Sequence, residues 1–236
     1  MTSRLNEPTD KPTIDLATIA AAVSPERLAN DLANVAMMGG RSDGGVARLA
    51  LDDNDTRARL WLIEQASALG AKASVDAIGN VFLDVPGSDP ALEPVVTGSH
   101  LDSQPAGGKY DGALGVLAGL EALRALKQVG FTPRRSLSLV SWTNEEGARF
   151  SPGTSGSAVF CGVRSLEETQ AFPAARWQRR CTPFLSCILS KARFWNVKGL
   201  PWAWSKVFRV SVGLKSPFPE APTMRAPPRA PCAAMH

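Results

Sequence analysis

An α/β fold is predicted by three observations: apolar runs at strand length alternate with stretches at helical spacing, glycines and prolines punctuate them, and two polar clusters follow directly on strands. Along the chain, Asp55 is placed to cap a helix in which Leu60, Ile63, Ala66 and Leu69 recur at helical spacing, and Gly70 ends it. Lys72–Val75 and Asn80–Val85 read as short strands around a turn at Gly79, the second stopped by Pro86-Gly87. Pro94–Gly98 is a short apolar strand leading into Ser99-His100-Leu101-Asp102. Gly112 to Val129 makes a helix with Leu117, Leu120, Leu123 and Leu126 on or near one face. Ser136–Trp142 reads as a buried strand running into Thr143-Asn144-Glu145-Glu146. Sheets of this kind place ligands at the carboxyl ends of strands, where both polar clusters sit.

Charge divides the 236-residue chain. Its net charge of +4 averages two unlike segments. Residues 1–170 hold 15 Lys/Arg against 21 Asp/Glu, whereas residues 171–236 hold 11 Lys/Arg and a single acid, Glu220. The second segment also carries four of the six Trp, three of the four Cys and nine of the 18 Pro. Such a shift marks a boundary, placed between Val163 and Pro173. The resulting division is a partial catalytic α/β domain at 1–170 and an aberrant basic tail at 171–236. Trp195, Trp202, Trp204 and Phe208 interleave with Lys and Arg at neither strand nor helix period, and Ala221 to Met235 is Pro/Ala/Arg-rich, so the tail reads as irregular and disordered. The polar N-terminus does not read as a secretory signal, no run approaches a membrane span, and the cysteines lack the spacing of a disulfide scaffold. The expectation is a cytoplasmic protein that does not enter membranes.

Three stretches carry chemistry: Gly98 to Ser103, Gly107 to Gly112, and Trp142 to Gly147. A two-metal hydrolytic site needs an imidazole, a carboxylate bridging the ions, further carboxylates, and one free carboxylate as base. His100 can bind an ion through one ring nitrogen, with Asp102 placed to hold the ring's tautomer. Asp111 follows glycines that let the backbone turn tightly, which suits the bridge. Of the adjacent Glu145 and Glu146, one can ligate while the other faces a water as base. Taken singly, each has a plainer reading: a satisfied histidine, a turn aspartate, a solvated glutamate pair. Gly107-Gly108-Lys109 lacks the spacing of a phosphate loop. Their joint order, each at a strand end or glycine turn, favours the metal site.

These stretches, with Gly-Ala-Arg-Phe-Ser-Pro-Gly at 147–153 and Gly-Ser-Ala-Val-Phe-Cys-Gly at 156–162, resemble the metal-dependent amidase/carbamoylase family. That family includes N-carbamoyl-L-amino-acid hydrolases, β-ureidopropionases and allantoate amidohydrolases, and is related to aminoacylase-type metallopeptidases. The resemblance runs from about Leu28 to Gln170. It implies the N-terminal part of a metallopeptidase-like catalytic domain. It also implies His100, Asp111 and Glu146 as metal ligands with Asp111 bridging, Glu145 as general base, and Asp102 orienting His100. Two divalent ions (zinc, manganese or cobalt), a ureido or carbamoyl small-molecule substrate and a homodimer are implied as well.

The resemblance then stops. The family uses further histidines, one in a Leu-His-Ile-Glu-Gln-Gly segment, one near the C-terminus, and a third in an Asn-His-Ala-Gly-Thr-Thr-Pro segment that handles substrate. This chain has only His100 and His236. Codons can be chosen for Ser186 to Arg229 so that the frame one base earlier spells both quoted segments in family order. The tail is therefore read as an out-of-frame translation, with the shift between Val163 and Leu185. Such a chain is expected to have an unpaired strand edge, poor solubility, weak metal binding and negligible turnover. Two other readings stand beside it. In one, the basic, Trp-rich tail of an interaction protein binds nucleic acid or an anionic membrane. In the other, Cys161, Cys181 or Cys187 replaces the lost histidines.

Overall fold

The computed structural model describes residues 14–171. The tail readings beyond that point, including Trp195 to Phe208, Cys181, Cys187 and the frame-shifted segment, lie outside the described residues. So does His236.

Ten elements follow one another: α1 (Leu16–Ala21), α2 (Pro25–Met37), α3 (Asp53–Ala68), β1 (Lys72–Val75), β2 (Val81–Val85), β3 (Val95–His100), α4 (Ala113–Gln128), β4 (Leu137–Trp142), α5 (Ser155–Phe160) and α6 (Leu166–Gln170). The four strands form one mixed sheet in the order β1-β2-β4-β3. β1 with β2 and β2 with β4 are antiparallel, and β3 with β4 is parallel. A parallel neighbour cannot be reached by a tight turn, so α4 makes the crossover between β3 and β4. Among the described residues β3 pairs on its β4 side alone, as an edge strand.

The helix over Gly112–Val129 and the strands are confirmed to within a residue or two, and β3 extends through His100. The helix start at Asp55 is corrected. Asp52 is the cap, extended at φ −83° and ψ 179°, and its carboxylate accepts the Asp55 N–H at 2.8 Å. Asp55 lies inside the first turn, where its own carboxylate is buried against Arg59 four residues on. Four consecutive cap-forming residues, Asp52 to Asp55, made the start ambiguous in sequence. α2 starts on Ser24, whose hydroxyl accepts the Arg27 N–H, with Pro25 in the first helical turn.

The core gathers Leu62, Ile63 and Ala66 of α3, Val81 and Leu83 of β2, Val116, Leu117, Leu120 and Leu123 of α4, and Leu139 of β4. α4 comes down close on the sheet because Gly119 has no side chain: a Cβ there would lie 2.5 Å from the Leu139 methyl. On α5, Phe160 packs with Phe82 of β2 and Trp142 of β4, their ring centroids 5.2–6.0 Å apart. No described helix is long and apolar enough to cross a membrane.

Candidate metal and catalytic site

β3 and β4 run side by side and in register, with His100 opposite Trp142. The segments leaving their carboxyl ends therefore emerge together. His100 is the last residue of β3 and is 5% exposed. Its Nδ1 lies 2.8 Å from the Asp102 carbonyl oxygen. A carbonyl can only accept, so Nδ1 carries the ring proton and Nε2 is left with a lone pair. The Asp102 carboxylate stands further off, 3.8 Å from Nδ1. It accepts instead the backbone N–H groups of Glu145 and Glu146, each at 3.2 Å. One residue thus fixes the imidazole through its carbonyl and the glutamate turn through its carboxylate. Burial, with the Asp55 charge nearby, raises the Asp102 carboxyl to about 6, against the opposing pull of Arg59, His100 and the Glu145 amide.

Around the free Nε2 the acceptors converge. Glu145 Oε2 is 3.4 Å away and Asp111 Oδ1 3.8 Å away. Ligand atoms of His100, Asp111 and Glu146 all lie within 4.8 Å of one another. Glu146 Oε2 accepts from Gln104 Nε2 at 2.9 Å, while its Oε1 is buried with no hydrogen-bond partner. An imidazole lone pair and three carboxylates, one of them with an unpartnered buried oxygen, form an electron-rich cluster that a cation or a proton can neutralise. The donor set, one imidazole nitrogen with carboxylate oxygens, suits a divalent cation.

Gly112 lets Asp111 reach this cluster. It adopts φ +63° at the start of α4, and a Cβ there would lie 2.5 Å from both Cε1 and Nε2 of His100. The segment before it is anchored by the reciprocal Val46 and Gly107 backbone bonds at 2.9 and 3.0 Å.

Behind the cluster lies a buried polar floor that apolar spacing does not reveal. Arg48 donates to Leu101 O at 2.5 Å and to Val35 O and Met38 O, so it grips the end of β3 between His100 and Asp102. Arg59 pairs with Asp55 at 2.9 Å and donates to Trp142 O, Thr143 Oγ1 and Gly79 O, each at 3.1 Å, gripping the end of β4. Asn80 accepts the Thr143 N–H at 2.9 Å and donates to Gly156 O at 3.0 Å. All five residues proposed from the sequence (His100, Asp102, Asp111, Glu145 and Glu146) are brought together here. Arg48, Arg59, Asn80, Gln104 and Asn144 are the polar residues that the motif reading passed over.

Residues 80–174, which contain every proposed ligand, match the model of Peptidase family M28. Closer relatives are amidohydrolases. The chain is 44% identical over 149 residues to an N-carbamoyl-L-amino-acid amidohydrolase of Rhizobium meliloti, covering 63% of this chain and 36% of that one. It is 40% identical to an allantoate amidohydrolase of Bacillus subtilis, covering 58% and 33% of the two chains. A crystal structure of a hydantoinase/carbamoylase family amidase from Burkholderia ambifaria superposes with a TM-score of 0.61 at 48% identity, over 62% of this chain and 36% of that one. The N-terminal part of this chain is therefore similar in sequence and fold to hydantoinase/carbamoylase family amidases. The chain spans about a third of the length of the curated relatives it matches.

Proposed function

We propose that this chain carries one half of the active site of a binuclear amidohydrolase, one that hydrolyses a non-peptide C–N bond of N-carbamoyl amino acids or allantoate-like ureido compounds. The observation that carries the reading is the convergence of His100 Nε2 with the carboxylates of Asp111, Glu145 and Glu146, on a scaffold shared with carbamoyl and allantoate amidohydrolases. His100, Asp111 and Glu146 would hold a divalent ion, zinc, manganese or cobalt, with Asp111 suited to bridge to a second. Bound there, divalent ions supply Lewis acidity toward the substrate carbonyl and toward water.

The chain's own residues do the rest. Asp102 holds the imidazole in the tautomer that presents Nε2. Gln104 ties Glu146 Oε2 and so leaves Oε1 as the ligating oxygen. Glu145, 37% exposed and with its Oε2 3.4 Å from His100 Nε2, is placed to take a proton from water and return it to the departing nitrogen. A carbamoyl substrate would yield carbon dioxide, ammonia and the free amino acid.

As written, the chain is incompetent on this reading. Among the described residues it supplies one imidazole where the family uses further histidines, and the same reading places a frame shift between Val163 and Leu185. The assembly as a homodimer and the cytoplasmic location belong to the intact protein. Zinc and manganese titrations of the purified chain, followed by calorimetry, with assays on N-carbamoyl amino acids, ureidoglycolate and allantoate, test this. Fewer than two ions per chain, bound weakly and without turnover, is the expected result. Two ions per chain with measurable hydrolysis would overturn the claim of incompetence. No ion bound at all, even after the reading frame is restored, would overturn the metal site.

A further inference from the structure

We propose that Asn144 is a positioning residue that aims the Glu145–Glu146 pair before any ion or substrate arrives; the functional meaning of that aim rests on the reading of the two glutamates given above. Asn144 directly follows Thr143 at the end of β4 and is fully buried. Its backbone is left-handed, at φ +53°, a conformation that asparagine tolerates better than most side chains. This residue turns the chain sharply off the strand direction, so the next two side chains do not continue the alternation of β4.

The side chain then locks the turn. Nδ2 of Asn144 donates to Phe150 O at 2.6 Å, to Ser155 Oγ at 2.9 Å and to Pro152 O at 3.3 Å. The segment it holds returns three backbone bonds to the turn. Gly156 N–H donates to Thr143 O at 2.9 Å, Ser155 N–H to Asn144 O at 3.2 Å, and Thr154 N–H to Glu145 O at 2.7 Å. From the other side, the Asp102 carboxylate receives the N–H groups of both glutamates. Glu145 therefore has its N–H and its C=O both committed, to partners 43 residues before it and nine residues after it. Only its side-chain torsions remain free. Remove the Asn144 amide, and the 150–156 segment loses the contact that brings its three N–H donors to the turn.

A buried asparagine that merely satisfies loop carbonyls would contribute to global stability alone. The two roles separate in hydrogen exchange of the Glu145 and Glu146 amides, measured by mass spectrometry on the full chain. The variants are Asn144→Asp, which keeps shape and left-handed tolerance but loses the donors, Asn144→Gly, which keeps the backbone only, and Asn144→Ala, which loses both. Leu120→Ala, in the core, is the control for global destabilisation. The expected result is exchange at 145 and 146 faster by about tenfold in Asn144→Asp and Asn144→Ala than in the control at equal denaturant stability, with Asn144→Gly between. Exchange no faster than in the control would overturn the proposal. So would failure of all three variants to fold while Leu120→Ala folds, since that assigns Asn144 to general stability. Zinc titration of the same samples keeps the two readings apart. If no zinc binds even with the reading frame restored, while the variants show the expected exchange pattern, the metal reading falls and the positioning role stands.

Discussion

Beneath the site, Arg48, Asp55, Arg59 and Asp102 are each no more than 1% exposed, whereas the side chains of Asp111 and Glu145 above them are 65% and 37% exposed. Both layers are rich in charge, but only the lower one is balanced by protein groups. There, two guanidiniums and two carboxylates are tied to strand-end carbonyls and amides. In the upper layer, acceptors face acceptors. The difference teaches that the architecture spends its hydrogen bonds on fixing where the ligands stand, and leaves the ligands themselves unsatisfied. Stability should therefore be concentrated in the floor, and ion binding in the rim.

The largest effect expected from breaking this division is in the floor. Arg59→Leu strands Asp55 without its ion-pair partner in the interior and should cost about 3–5 kcal/mol in urea denaturation. The double variant Asp55→Leu/Arg59→Leu should recover only part of that loss, because Trp142 O and Gly79 O also lose their donor. Full recovery would mean that Arg59 serves the ion pair and not the strand end. Next in size is Gly112→Ala. Its methyl would collide with the imidazole and occupy a left-handed backbone position, for a loss of about 1–3 kcal/mol. Thermal denaturation should show the loss, and zinc binding should fail with it.

A smaller effect concerns pH. Burial raises the Asp76 carboxyl above its ordinary 3.8, outweighing the hydrogen bonds from Asn80, Ile78 and Gly79. The folded state therefore holds this proton to higher pH than the unfolded chain does. Stability from this group is greatest at acid pH and declines as pH rises from 3.8 through the raised folded value. Asp76→Asn should flatten that decline in denaturant midpoints measured across the acid range. Smallest of all should be the stability change at the rim. Asp111→Asn, Glu145→Gln and Glu146→Gln should each lie within about 0.5 kcal/mol of wild type, or stabilise slightly by relieving repulsion. The same substitutions at Asp111 and Glu146 should abolish whatever zinc binding the chain shows. A rim variant that unfolds the protein would erase the distinction between the layers.

Much of this was legible in the residues, unevenly. The strands and α4 announce themselves because a half-buried strand and a core-facing helix impose different apolar periods, and glycine or proline stops each one. α5 and α6 span six and five residues, too short for a period to register. α2 escaped an apolar count although Ser24-Pro25 marks its start. At the site, the converging groups were legible because histidine and adjacent acids at strand ends are unusual in combination. Their supports were not. Arg48 and Arg59 act on backbone carbonyls, and no side-chain pattern encodes which carbonyl a folded chain will bring near. Asn144 left a local hint, an asparagine between a strand end and two acids, which is where a left-handed residue would be wanted.

The parallel register of β3 and β4 has a wider consequence. His100 sits opposite Trp142, on strands about 4.8 Å apart, and the glutamates follow three and four residues later. The spacing between the imidazole and the start of the glutamate turn is thus set by the sheet itself, while the loops at 103–110 and 147–153 hold Asp111 and the glutamates beyond the strand ends. A slip of one residue in β3 would carry His100 to the opposite face of the sheet. The offset is therefore portable: an adjacent parallel pair with this register and a buried anchor at each strand end could present an imidazole beside a pair of glutamates.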